Sequence, residues 1–405
     1  MRATPFRLSI GLRLILTGAL VGLASSATAQ TFSSGSTGAL GAFNPAVNTT
    51  VTLPADGVLN YTTVNVPVGV TVTFLKNAAN TPVTLLATGN VTVAGVISVN
   101  GNVAAPCSGG GQAPGGAGGP GGFDGGRGGA MGVVNTEGSV GQGPGGGALA
   151  GHGIYGAPGN FVALLPLFGG SGATGSNGNA SACGLGGSGG GGAIVIASST
   201  QISVTGVIRA NGGPQPPVCA TGLSGSGGAL RLVAPFITIP TPGTLEAKAL
   251  DNGSSPGCVG GSGRIRLEAF TFGVVPTTTP AASLSTTPGP VTAASTPALT
   301  TLPTVKIASV AGVAAPATPT GSYSTPDLTL AVGTSNPVTV TLNATNTPVG
   351  SVFQVKAMPP SGAAVVVTSA PSTGTVAAST ATATLTLPTG VTSVLNVYGS
   401  YVLTP

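Results

Sequence analysis

Any chemistry in this chain has to come from very few side chains. Its 405 residues include 7 acidic residues, 12 Lys or Arg, one His and four Cys. Glycan-cleaving enzymes use clustered carboxylates, either as an acid/base pair or around a calcium ion. Glu246, Asp251 and Glu268 are the one set of acids that neighbouring repeats could bring together, and Lys248, Arg264 and Arg266 lie among them. Two arrangements fit these residues. One is a lyase or hydrolase site with an Arg as base or anion clamp. The other is a surface ion-pair group, which the interleaving of opposite charges favours. The remaining acids, Asp56, Asp124, Glu137 and Asp327, are scattered.

Other reaction types find less. His152, in "GHGIYG", has no Asp or Glu close in sequence. A Ser or Cys nucleophile would need an oriented base, so His152 reads as a turn residue. A phosphate loop needs glycines followed by Lys and Ser/Thr. None of Lys76, Lys248, Lys306 and Lys356 follows a Gly, so no nucleotide site is expected. Cys107, Cys183, Cys219 and Cys258 form no CxxC and have no His nearby, which argues against zinc. No cofactor and no metal are expected. As disulfide candidates the four cysteines allow three pairings. Cys107–Cys183 would close a Gly-rich segment at its base, Cys219–Cys258 would join corners of successive repeats, and Cys107–Cys219 is a rival of the same kind. Phe123, Tyr155, Phe161 and Phe168 are the aromatic residues to consider for stacking on a glycan.

The elements that would hold these residues are repeats. "VTLLATGNVTVAGVISVNG" (83–101) and "IVIASSTQISVTGVIRANG" (194–212) align without a gap. "LRLVAPFITIPTPGTLEAKA" (230–249) and "IRLEAF" (265–270) continue the series. The later starts, Ile194, Leu230 and Ile265, are spaced by about one solenoid repeat. From Val83 to Ile194 the step is about three such repeats, so an insertion at about 108–190 interrupts the array. Each unit alternates Val/Ile/Leu with Thr, Ser or Arg, the period of two of half-buried strands. No comparable stretch carries a helical stripe.

These patterns predict an all-β chain: a right-handed parallel β-helix (solenoid) with a Gly-rich insertion, followed by a C-terminal Ig-like β-sandwich. In this register Val93 lies beside Val204. Arg231 and Arg266 form an outward column with Val195 and Thr84, and Thr92, Ser203 and Thr238 form another. An antiparallel sandwich is the rival for the repeats.

Residues 30–82 read as an N-terminal cap or first coil, 83–273 as the interrupted solenoid and 274–303 as a Pro/Thr-rich linker. Residues 304–405 read as the sandwich, built from seven short alternating runs: "VKIASVAGV", "DLTLAVG", "PVTVTLNAT", "SVFQVKAM", "AAVVVTSA", "TATATLTLP" and "SVLNVYGSYVLT". For the insertion, composition makes flexible solvated loops the default. Extended strands packed side by side are the alternative, because only a hydrogen side chain permits such closeness. "NFVALLPLF" (160–168) is read as an anchor onto the solenoid rather than an exposed sticky tip.

Residues 1–29 have the form of a secretory signal. Arg2, Arg7 and Arg13 precede the apolar "LILTGALVGLA", and "ATA" at 27–29 offers a cleavage site. The apolar run is shorter than a bilayer span, so no transmembrane segment is expected after cleavage. Removing those three Arg leaves nine basic residues against seven acidic ones, a charge of about +2. No Lys/Arg cluster remains for a phosphate track, so nucleic acid is not an expected partner.

"TPVTLLATGNVTVAGVISVNG", the Gly-rich break, "GGAIVIASSTQISVTGVIRANGG" and "GSGRIRLEA" together resemble largely uncharacterised exported bacterial Gly-rich proteins, which look like the pectin-lyase-like parallel β-helix class. The resemblance covers roughly 50–272. It implies export and a solenoid, and it transfers no catalytic residue. The Gly-rich region is also similar in composition to the polyglycine sandwich tips of some phage adhesins.

The expected function is therefore that of an exported structural or adhesive protein, extracellular, periplasmic or at the cell surface. A surface glycan or another envelope or matrix component is the expected partner. A polysaccharide-acting lyase or hydrolase is the first alternative. Ice or crystalline-surface binding is the second.

Overall fold

The structure is a computed structural model. It describes residues 31–106, 112–131, 138–143, 145, 164–165, 167–214, 224–250, 260–291, 303–317, 319, 326–359 and 364–399. The chain divides into a short unit, Met1–Thr31, and a body, Phe32–Pro405. The signal-like segment, Cys107, Cys219, Cys258, Asp251, His152, Tyr155 and Phe161 lie outside the described residues.

All described elements are strands. The first half of the body contains three parallel sheets. The first runs, in order, Ala42–Phe43, Thr63–Val66, Val91–Val93, Gln201–Val204, Phe236–Thr238 and Thr271–Phe272. The second runs Thr49–Thr52, Thr71–Leu75, Val96–Ser98, Val207–Arg209 and Thr244–Glu246. The third runs Val58–Tyr61, Val83–Ala87, Ala193–Ser198, Ala229–Val233, Arg264–Glu268 and Ser283–Ser285. The chain visits the third, first and second sheets in turn and adds one strand to each per circuit. That order fits a β-solenoid.

The register agrees with the repeat alignment. Val93 pairs with Val204, Ile97 with Ile208, and Thr84 with Val195. Pairing alternates an inward apolar residue with an outward one, so identical phases stack along the axis. Val66, Val72, Val91, Ile196, Ile202, Ile208, Leu232 and Ile237 are among the inward residues that fill one continuous core between the sheets. Two additional rungs precede the recognisable repeats: Ala42 pairs with Thr63, and Val64 with Val91. Their circuits are shorter than the later ones, which conceals them from a fixed-period alignment.

Two expectations change here. Residues 274–291 are not simply a linker, because Thr279 bridges to Glu246 and Ser283–Ser285 joins the third sheet. The arginine column has the expected register, with Arg231 beside Val195 and Arg266, but all of it except the partly exposed Arg266 is shut away from water. Arg231 is 0% exposed. The third sheet is covered on its outer side as well as its inner one. Leu86, Val195, Ala197, Ala229 and Val233 pack there with Leu164, Leu167, Phe168 and Val291, and Phe32 joins them. The part of "NFVALLPLF" that is described thus lies against the sheet as an anchor.

The Gly-rich insertion departs furthest from its default reading. Most of its described residues are packed and buried, the exposed ones falling mainly at 177–182 and at scattered positions such as Pro114 and Met131. At Gly116, Gly119, Gly122, Gly125 and Gly128 an added Cβ would overlap a carbonyl of a neighbouring segment, every third residue. The same spacing recurs at Gly169, Gly172 and Gly175, and at Gly184, Gly187 and Gly190. A period of three is that of a polyproline-II-type helix. Such a helix makes no internal hydrogen bonds and must find them laterally.

Residues 184–192 form the centre of this lattice and bond to six surrounding segments. Gly189 and Gly192 donate to Asn102 and Val99 at 3.0 and 2.7 Å, while Gly116 and Gly119 donate to Gly187 and Gly190 at 2.8 and 3.0 Å. Gly187 and Gly190 donate to Gly126 and Phe123, Ala173 and Ser176 to Ser188 and Leu185, Gly213 to Gly189, and Gly191 to Ser226. Each bond contributes on the order of 1 kcal/mol net and spares a buried amide a larger penalty. Collectively they offset the conformational entropy that Gly loses on ordering.

The C-terminal part of the body has two antiparallel sheets in a sandwich-like arrangement. One orders Val313–Ala314, Thr304–Val310, Val338–Thr345, Ser379–Leu385 and Thr373–Gly374; the other orders Val365–Thr368, Gln354–Met358 and Val394–Tyr398. Val340, Leu342, Phe353, Val355, Ala383 and Leu385 are among the residues of their shared core. "DLTLAVG" forms no strand, although Leu328 and Leu330 pack on that core.

Candidate functional site

Of the three candidate acids, Glu246 and Glu268 do not converge, and Asp251 lies outside the described residues. Glu246 ends a strand of the second sheet and Glu268 ends a strand of the third. Each is occupied by its own partners.

Glu268 lies under the segment that follows the third sheet and is nearly buried. Arg231 holds it in a two-pronged pair, Nε to Oε1 at 3.0 Å and Nη2 to Oε2 at 3.1 Å. Arg266 Nε donates to Oε1 at 3.3 Å, and the Gly289 N–H donates to Oε2 at 2.7 Å. The Arg231 guanidinium also reaches the Pro290 carbonyl, with Nη1 and Nη2 each at 3.4 Å. Burial alone would raise the Glu268 carboxyl. The hydrogen bond and charge of Arg231, then the Gly289 amide and Arg266, outweigh it and hold the group below the usual carboxylate range. Two positive charges sharing one carboxylate in a dry setting is an arrangement that is costly to break.

Glu246 is half-buried. Asn211 Nδ2 donates to its Oε2 at 2.8 Å and Lys248 Nζ to its Oε1 at 3.2 Å. Burial again pushes upward, and the Asn211 and Lys248 hydrogen bonds with the charges of Lys248 and Arg209 prevail, lowering its pKa. A general acid at neutral pH needs the opposite shift. Arg264 Nη1 donates to the Gly263 carbonyl at 2.9 Å. Glu246 with Lys248, and Glu268 with Arg231 and Arg266, are thus held as ion-pair groups.

The aromatic candidates are similarly placed by packing. Phe168 is buried between the insertion and the third sheet and presents no face to a ligand. Phe123 is half-buried against the same cluster. Near it, Asp124 accepts from Lys76 Nζ and from the Gly118 N–H, each at 2.8 Å, which ties the insertion to the circuit before it. Cys183 is disulfide-bonded, and the other half of that bond lies outside the described residues.

The sequence reading did not single out the outer face of the first sheet beyond one column. There Asn65 stands beside Thr92, Thr92 beside Ser203, and Ser203 beside Thr238. Phe236, between Gln201 and Thr271 in the adjoining column, also points outward. Its signal was available in sequence: in "FITIP" the buried phase belongs to the two Ile residues, so the Phe must face the other way.

Among the described residues no group of three His, Cys, Asp or Glu side chains is placed to hold a metal ion, and no helix is long and apolar enough to cross a membrane. Comparison with protein-family models, with curated proteins and with solved structures finds no match.

Proposed function

We propose that this chain is an exported, non-enzymatic structural or adhesive protein. In this reading the three parallel sheets close into a right-handed β-helix that serves as a rigid stalk, and the C-terminal antiparallel pair is an Ig-like sandwich serving as an accessory module. Residues 1–29 direct export and are removed. The observation that carries the proposal is the glycine lattice around residues 184–192. A long insertion with so little side-chain chemistry, fixed by backbone bonds to six segments, is suited to setting shape and stiffness. The ion-paired state of Glu246 and Glu268 supports the non-enzymatic part.

The test has two arms. Expression from its own start in a bacterial host, followed by fractionation and N-terminal mass spectrometry, is expected to place a chain beginning at Gln30 outside the cytoplasm. Incubation with neutral and acidic polysaccharides is expected to yield binding without new reducing ends or unsaturated products. Product release that disappears in Glu246→Gln or Glu268→Gln would establish the lyase or hydrolase reading instead.

A further inference from the structure

The three sheets treat charge unequally. The second carries Arg209 and Glu246, with Lys248 just beyond, and the third carries Arg231, Arg264, Arg266 and Glu268. The first sheet has no ionisable side chain in any of its strands. None stands in the turns that lead into it (62, 88–90, 199–200, 234–235, 269–270) or out of it (44–48, 67–70, 94–95, 205–206, 239–243). Its outer face is nevertheless open to water: Asn44 and Asn65 are exposed, and Thr92, Ser203 and Thr238 are partly so.

What this face presents is a regular ladder. The register places Asn65, Thr92, Ser203 and Thr238 side by side in one column, one rung apart, about 4.8 Å. Asn44 extends it, accepting at Oδ1 from Asn65 Nδ2 at 2.8 Å. Amides and hydroxyls both donate and accept, so each rung can exchange hydrogen bonds with hydroxyl groups. In the adjoining column Phe236 is on the outer face, but its ring does not stand off the sheet. An added Cβ at Gly273 would meet the Phe236 Cζ at 3.0 Å and Thr238 Oγ1 at 2.7 Å, so the ring lies down along the sheet over Gly273. The missing side chain at Gly273 gives the ring its place.

From this combination we infer that the outer face of the first sheet binds an extended neutral polysaccharide, with sugar hydroxyls on the Asn/Thr/Ser ladder and one sugar ring over Phe236. A flat aromatic face matches the C–H-lined face of a sugar. A charge-free surface leaves no ion to be desolvated under a neutral polymer and offers no attraction to an anionic one. Ice would meet the hydroxyls but would draw no specific contact from a flattened Phe or from the two Asn amides. The inference rests on the adhesive reading and gives it a ligand class and a surface.

The experiment is co-sedimentation of the full chain with insoluble cellulose, chitin and starch, with pectate as the anionic control and ice-growth inhibition measured in parallel. Retention on at least one neutral polysaccharide and none on pectate is expected. The double variant Thr92→Lys/Ser203→Lys, outward on the ladder, is expected to bind about tenfold more weakly or worse. Phe236→Leu should bind several-fold more weakly by the same measure. Thr50→Lys, on the outer side of the second sheet, should bind as the parent does, and circular dichroism should be the same for all. Undiminished binding by the double variant would overturn the assignment of the face while leaving the adhesive reading in place. Failure to bind any of the three polymers, with or without ice-growth inhibition, would overturn the ligand class.

Discussion

Gly187→Ala separates a packed glycine lattice from a loop by the sign of its effect. Gly187 is fully enclosed: its N–H donates to the Gly126 carbonyl and its own carbonyl accepts from Gly116, both at 2.8 Å. A Cβ there would overlap the Ala173 carbonyl, which belongs to a third segment that is itself bonded to residues 185 and 188. The backbone of Gly187 lies outside the left-handed region, so Ala meets no conformational penalty of its own. The cost is steric. Forcing a methyl into a filled interior costs about 1–3 kcal/mol. Prising the segments apart weakens two backbone bonds worth about 1 kcal/mol each. The expected loss is about 3–5 kcal/mol by these two contributions. In an unpacked loop the same substitution would stabilise by about 0.4–1 kcal/mol, because Ala restricts the unfolded chain. The chain has no Trp, so urea unfolding is followed by far-UV circular dichroism and Tyr fluorescence. A fall in the midpoint on the order of 1 M is expected. An unchanged or raised midpoint would refute the lattice.

Four further outcomes follow from the ion pair, the core and the disulfide. Glu268→Gln leaves the buried Arg231 guanidinium without its counter-charge and should cost about 3–5 kcal/mol in the same urea assay; a loss below 1 kcal/mol would show that the pair is solvated. Because the Glu268 pKa is depressed in the folded chain, its contribution is fully present above the ordinary carboxylate range and disappears as pH falls through the folded value. Parent stability should therefore drop on acidification below about pH 4.5, and the variant should show a shallower drop; identical acid profiles would contradict this linkage. Ile202→Ala, in the core between the sheets, should cost about 2–5 kcal/mol, and a near-neutral effect would place Ile202 outside the core. Non-reducing peptide mapping should find Cys183 bridged, with reduction lowering stability by about 2–4 kcal/mol, whereas alkylation of Cys183 without reductant would disprove the bond.

Much of the parallel stack was legible because it rests on local alternation. A residue pattern of period two names its buried phase, and a gapless alignment of 83–101 with 194–212 fixes which strands are neighbours. The pairs Val93–Val204 and Ile97–Ile208 follow directly from that alignment. The two early rungs escaped it because circuits of different length share a phase but no period. The strand missing from "DLTLAVG" was misread for a related reason: alternation reports burial of Leu328 and Leu330, and burial alone does not require a sheet partner.

The candidate site was less legible, since each of its features depends on what lies across from it. The sequence by itself determined the buried phase of each strand, the order of the repeats and the placement of every ionisable residue away from the strands of the first sheet. Only the tertiary structure decided that the outer phase of the third sheet is covered, Arg231 beneath Gly289 and Pro290 and its apolar neighbours beneath Leu164, Leu167 and Phe168, because an alternating pattern cannot say whether a second layer covers the outer phase. Only the tertiary structure decided that glycine composition means a lattice rather than slack chain. Glycine has no side chain to record its neighbours, and its close approaches exist only once the segments around 184–192 have assembled.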